Sequence, residues 1–173
     1  YSFFELNKMN DMKRHHLSQC DKVVVASEWA KSVVEDQVKD SKVYVAPLAV
    51  DHTLFYTTNR QQEKFIIFNC GKWEIRKGHD IILEVFQAAF PDNKDVELWM
   101  MTQNPVASPE YNKKWNEYYR QDFRVNLINR VQDHRQLAQL MNQTSCGFFP
   151  SRAEGWNLEL LEMMACGKPV VTT

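Results

Sequence analysis

No run of apolar residues in this sequence approaches the roughly 18 that a membrane-crossing helix needs, which argues against a spanning segment. Charge of one sign is not in excess either. Lys and Arg number 21 against 22 Asp and Glu, for a net charge of −1. The molecule as a whole therefore projects no field that would gather nucleic acid or an acidic membrane. The four cysteines, Cys20, Cys70, Cys146 and Cys166, never fall in C-x-x-C spacing. Three of them sit among apolar or small residues and read as buried thiols rather than metal ligands or bridges, which suits a reducing cytoplasm. Repeats and low-complexity stretches are absent. So are the phosphate loop G-x-x-x-x-G-K-[ST] and the dinucleotide fingerprint G-x-G-x-x-G.

What is present is an apolar fraction of 44% in 173 residues, enough for a real core and against disorder. That length fits one domain, or one domain and part of another, at about 100–200 residues per domain. The chain opens at Tyr1 in mid-pattern and stops just after a strand-like "GKPVVTT", so it is expected to be a piece of a longer protein.

The pattern along the chain alternates. A polar stretch with sparse apolar spacing over 5–20, read as a helix, is followed by a β-branched strand at 21–27. Ser27 then stands as N-cap for a helix carrying Trp29, Ala30, Val33 and Val34 at helical spacing. A strand over 42–51 ends at Pro47, and the polar, aperiodic stretch 51–62 reads as a linker. After it the rhythm is regular, with strands over 64–71, 96–102, 124–130 and 145–150. Helices over 78–90, 109–121, 133–143 and 157–167 separate them, and a last strand closes the chain. Single helices between apolar strands predict parallel βαβ units with right-handed crossovers and a sheet covered on both faces. The domain reading is 1–50, a linker at 51–62, and 63–173.

In such sheets ligands bind outside the carboxyl ends of the strands, where strand order reverses. Three stretches lie at such ends. "NCGKWEIRKGHD" (69–80) frees the backbone at Gly71, places Lys72, Arg76 and Lys77 in one short loop, and opens a helix at Gly78. Cations beside a helix N-terminus form an anion site; the plainer alternative is a solvated basic loop. "NRVQDH" (129–134) offers exposed backbone at Arg130 and Val131 that could read a nucleobase, or is an ordinary loop with Asp133 as N-cap. "SRAEGWNLELLE" (151–162) places Glu154 before a helix and Glu162 inside it, with the amides of Asn157 and Leu158 as helix-start donors. A carboxylate at Glu162 can accept from a vicinal diol such as a ribose, and Glu154 could take hydroxyls of a second sugar. Alternatively these acids are simply favoured by the helix dipole. Glu159, assigned to a different helix face, is expected to be exposed.

"SRAEGWNLELLEMMACGKPVV" resembles the E-x7-E signature of retaining GT-B glycosyltransferases, specifically glycosyltransferase family 4, with Glu154 and Glu162 as its acids. "GKWEIRKG" is similar to that family's "GR....KG" phosphate loop, with Lys72 at the usual Arg position and Lys77 at the Lys position. "CDKVVVASEWAKSVV" with "VYVAPLAVDHTLF" is similar to the end of the family's first domain. The match runs from about residue 18 to the end.

The resemblance implies an α/β fold: a truncated, Rossmann-like GT-B C-terminal domain, with a parallel sheet and helices on both faces, plus a remnant of the N-terminal domain. It implies transfer of a glycosyl group from a nucleotide-diphospho-sugar to an acceptor, with retention. Lys72 and Lys77, with Gly71, would hold the diphosphate, and the lysines would stabilise the leaving group. Glu162 would hold the ribose, and Glu154 would orient the sugar. Asn157 and Leu158 would help hold sugar or phosphate, and Arg130 and Val131 would meet the base. No tightly bound cofactor and no metal are implied. The acceptor class (carbohydrate, lipid or protein) stays open, and nucleic acid is not a partner. An incomplete sheet could pair with another copy through its open edge. The cytoplasm is the expected location, peripheral at a membrane for the full-length protein. Lys72 in place of Arg gives up a planar bidentate fork. Most of the first domain is missing, so the 173 residues alone are not expected to transfer sugar. A non-catalytic nucleotide or phosphosugar binder, or another GT-B enzyme such as a nucleotide-sugar epimerase, remains open on this reading.

Overall fold

The computed structural model describes residues 1–2, 5–58 and 62–173. It separates into two units. One comprises Tyr1–Ala49 with Ala153–Leu158, the other Val50–Arg152 with Glu159–Thr173.

In the first unit, α1 (Asp11–Ser18), β1 (Val23–Val25), α2 (Glu28–Gln37) and β2 (Val43–Val45) follow in order. β1 and β2 pair in parallel, Val23 opposite Val43. Ser27 caps α2 as its type predicts, its hydroxyl accepting from the Ala30 amide at 3.1 Å. Val33 and Val34 turn that helix onto Val23, Val25 and Val43. This is one βαβ unit with a small aliphatic core.

The second unit carries the larger sheet. Its elements are β3 (Phe65–Gly71), a short 3-10 turn (Ile75–Lys77), α3 (His79–Ala89), β4 (Val96–Thr102), α4 (Pro109–Tyr119), β5 (Val125–Leu127), α5 (His134–Asn142), β6 (Cys146–Phe149), α6 (Leu158–Ala165) and β7 (Val170–Thr172). The five strands are all parallel in the order β5-β4-β3-β6-β7. The chain steps outward from β3 to β4 to β5, then returns to the other side of β3 for β6 and β7. β3 and β6 are thus neighbours whose connections leave in opposite directions.

Successive residues of β3 serve opposite faces, as a strand's two-residue period requires. Ile67 joins Ile82, Leu83 and Phe86 of α3, Leu98 and Met100 of β4, and Tyr119 of α4 in one core. Phe68 joins Ala138 and Met141 of α5, Phe149 of β6 and Met163 of α6 in another. Helices therefore cover both faces, as the continuous apolar strands predict. The helices and most strands are shorter than the sequence pattern, chiefly because loop residues at each end share its polarity without its hydrogen bonds.

Of the stretch 51–62 read as a linker, residues 59–61 lie outside the described residues. Earlier in that stretch, Phe55 is only 1% exposed, inside the core of Phe68 and Met163. The Thr58 amide and hydroxyl both donate to Asn142 Oδ1, at 3.0 and 2.9 Å. Among the described residues no helix is long and apolar enough to cross a membrane.

Candidate functional site

The carboxyl ends of β3 and β6 meet at the point where strand order reverses, which is where open parallel sheets form their ligand crevice. At the end of β3, Gly71 has φ +136°, a conformation side chains rarely adopt. A Cβ there would lie 3.0 Å from Lys77 Cδ and 3.4 Å from its Nζ. The glycine thus makes room for the Lys77 stem to fold back over the strand end. Lys72 is exposed and makes no ion pair among the described residues.

The loop between them is pinned from below. Trp73 is fully buried and stacked on Trp115 and Tyr119, with ring centroids 5.5 and 5.1 Å away. Asn104 Nδ2 and Tyr111 Oη both donate to the Trp73 carbonyl, each at 3.3 Å. His79, also fully buried, accepts the Glu74 amide on Nδ1 at 2.9 Å. That bond fixes the tautomer, so Nε2–H donates to Asn69 Oδ1 at 3.1 Å. Asn69 Nδ2 then donates to the Phe148 carbonyl at 2.7 Å. Burial, then the charge of Lys77, push His79 down to about 3, so its ring is neutral. This relay ties β3, the loop, α3 and β6 together.

A second set of contacts joins the loop to the end of β6. Gly78 has φ +76°, and a Cβ on it would sit 2.2 Å from the Pro150 carbonyl oxygen. The Arg152 amide donates to the Arg76 carbonyl at 2.8 Å. Its Nη1 donates to the Ile75 carbonyl at 2.6 Å. Its guanidinium grips Asp80 through both oxygens at 2.6 and 2.9 Å. Those Arg152 bonds hold the Asp80 carboxyl below its ordinary range. Arg76 faces Glu74 Oε2 at 2.7 Å, so part of the loop's positive charge is compensated within the loop.

The acids of α6 reach the same strand end. Lys77 Nζ stands 3.5 Å from Glu159 Oε1, with side chains 11% and 31% exposed. The expectation that Glu159 faces solvent is therefore corrected. Glu159 and Glu162 are three apart, and residues so spaced share one helix face. Glu162 is 5% exposed, and its carboxyl has no hydrogen-bond or ion-pair partner among the described residues. Burial first, and the charge of Glu159 second, push its carboxyl up to about 7. The buried Cys70 thiol is raised well above its ordinary value by burial, then by Glu159. Cys146 and Cys166 are buried as well, and Cys20 is exposed.

Of the remaining predicted residues, Arg130 and Val131 follow β5 at the same end of the sheet. Arg130 is exposed and Val131 is half-buried against the α5–α6 core. Neither makes a main-chain hydrogen bond among the described residues. Asp133 does cap α5, accepting from the Arg135 amide at 2.8 Å. Glu154, Asn157 and Leu158 lie in the segment that clusters with residues 1–49. The second unit thus brings together Gly71, Lys77, Glu159 and Glu162. Sequence reasoning passed over His79, Asn69, Asp80 and Arg152, which together with Trp73 position the loop. Among the described residues no three His, Cys, Asp or Glu group closely enough to hold a metal ion.

A parallel sheet of this order, covered on both faces, is a Rossmann-like domain, and its fold is similar to that of GT-B glycosyltransferases. The chain belongs to the family Glycosyl transferases group 1, whose model matches residues 64–173. It is 23% identical over 163 residues to an uncharacterized glycosyltransferase, MJ1178, of Methanocaldococcus jannaschii, covering 92% of this chain and 42% of that protein. Sucrose-phosphate synthase from Thermosynechococcus elongatus has a similar fold, with TM-score 0.75 at 22% identity over 92% of this chain and 42% of that one. HepE of Anabaena, solved in complex with UDP and glucose, gives TM-score 0.73 at 20% identity over 88% of this chain and 44% of that one. The chain therefore spans less than half the length of these relatives.

Proposed function

We propose that the whole protein transfers a glycosyl group from a nucleoside-diphospho-sugar to an acceptor with retention of configuration, and that this chain supplies most of the donor side. Lys72 and Lys77 take the diphosphate, with Gly71 making room for the Lys77 stem. Glu162 accepts the ribose hydroxyls, and the free main-chain groups at Arg130 and Val131 meet the base. Glu154 orients the donor sugar, and the amides of Asn157 and Leu158 help hold sugar or phosphate. As the glycosidic bond breaks, negative charge grows on the departing diphosphate, and a fixed ammonium stabilises it more in the transition state than in the ground state. The reading assigns that charge to side chains rather than to a metal ion.

The observation that carries this reading is the fixed position of Lys77, folded over Gly71 at the switch point, on the same strand end as the buried, unpartnered carboxyl of Glu162. The UDP and glucose in the HepE complex support a nucleoside diphosphate as the ligand class. The acceptor is a carbohydrate, a lipid or a protein. The reading puts the protein in the cytoplasm, at the membrane surface if the acceptor is a lipid. The β7 edge supports self-association of this chain.

Calorimetric titration with UDP, GDP and ADP tests the donor assignment. Lys77→Ala should weaken the preferred nucleotide at least about tenfold, the scale of one lost charge-assisted hydrogen bond. Equal affinity in the variant would remove the basis for the assignment.

A further inference from the structure

We propose that Glu159 is an internal competitor for Lys77, an anionic side chain that occupies the ammonium until a diphosphate displaces it. This rests on reading Lys77 as a ligand of the donor phosphates. The 3.5 Å contact between Lys77 Nζ and Glu159 Oε1 is the first support. The second is the geometry of α6. Spacing of three residues carries Glu159 and Glu162 on one helix face, so two carboxyls approach the strand end where one ammonium lies. The third is what surrounds them. The thiols of Cys70 on β3 and Cys166 after α6 are kept protonated by burial, and His79 is neutral. Arg76 is engaged by Glu74, and Lys168 acts on Cys166. One of the two lysines read as holding an incoming diphosphate is therefore already partly neutralised by the helix that also carries the ribose acid.

Such an arrangement lowers the affinity for any ligand that reaches Lys77 through negative charge. It has no such effect on a ligand that binds without charge. A nucleoside diphosphate, which adds contacts beyond Lys77, tolerates the penalty. Inorganic phosphate, with Lys77 as its main anchor, is held off at ordinary concentrations. Glu159 is thus a positioning residue that sets a threshold for occupancy rather than a group that touches the reacting atoms.

The test compares the chain with Glu159→Gln and Glu159→Asp, each checked for folding by thermal unfolding. The probes are UDP, inorganic pyrophosphate and uncharged uridine, titrated at constant pH. Glu159→Gln should tighten UDP and pyrophosphate by about fivefold, the upper scale of a partly exposed ion pair, and leave uridine unchanged. Glu159→Asp, which keeps the charge, should stay near the wild-type affinity. Glu159→Ala replaces the Gln variant if that one is unstable. Unchanged or weaker UDP and pyrophosphate binding in the charge-removing variant, with Lys77→Ala still damaging, sinks the competitor and leaves the donor site standing. A change in uridine equal to that in UDP would show a merely structural role and also overturn it. If Lys77→Ala does not weaken UDP binding, the donor site itself falls, and the competitor with it.

Discussion

Glu162 is the residue whose chemistry departs furthest from its sequence neighbours. A carboxyl raised from 4.5 to about 7 binds its proton more tightly folded than unfolded. Its contribution to stability is full below pH 4.5 and is lost as pH rises through about 7. Glu162→Gln should therefore change little at pH 5 and stabilise by roughly 2–3 kcal/mol at pH 8, the scale of such a shift. His79 has the opposite sign, since a ring held at about 3 contributes stability above pH 6.5 that is lost as pH falls. It cancels in the difference between variant and parent. Melting curves from pH 5 to 8 would show the gap widening; a gap that does not vary with pH would contradict the burial argument. The placing of Glu162, Lys77 and Gly71 at one strand end was legible because each stands at a motif position. Glu159 was misjudged for want of counting three residues along one helix face. Nothing local marks Arg152 and Asp80 as partners, because 72 residues separate them.

Among the elements, the turn between β3 and α3 has the narrowest tolerances. Gly78 combines a left-handed backbone with a 2.2 Å approach of any Cβ to the Pro150 carbonyl. Gly78→Ala should cost at least about 2 kcal/mol, since backbone strain alone runs to about 1–3 kcal/mol. It should also separate the turn from the end of β6. Urea unfolding gives the first quantity, and exchange of the Arg152 amide, which donates to the Arg76 carbonyl, the second. An alanine variant as stable as the parent would mean that the turn yields at no cost. Alternation of strand and helix was legible from apolar runs and caps such as Ser27 and Asp133. Strand ends were not, because residues such as Asn129 and Arg130 follow β5 with strand-like neighbours but have no ladder partner among the described residues. The partners that let Trp73 anchor the turn were equally hidden, because no local pattern brings Trp115 and Tyr119 against it.

For the molecule as a whole, the parallel α/β architecture followed from the pattern, while the order β5-β4-β3-β6-β7 did not. Order depends on which strands pair across long separations, and apolar runs are interchangeable in that respect. β7 forms one edge of the described sheet, with Val171 58% exposed, and an unpaired edge invites another strand. Light scattering after size exclusion should show concentration-dependent dimers, and Val171→Lys should suppress them. A clean monomer at high concentration would count against association.

The two faces of β3 have a further implication. Ile67 looks toward α3 and α4, where Trp73 secures the cationic turn, while Phe68 looks toward α5 and toward α6, which carries the carboxylates. Each half of the crevice is thus braced by its own hydrophobic wall, and a single strand is the partition. The contact between Lys77 and Glu159 crosses that partition, so repacking behind either wall is felt by the lysine and the acids alike. On the proposed reading, the phosphate end and the sugar end of a donor are retuned together.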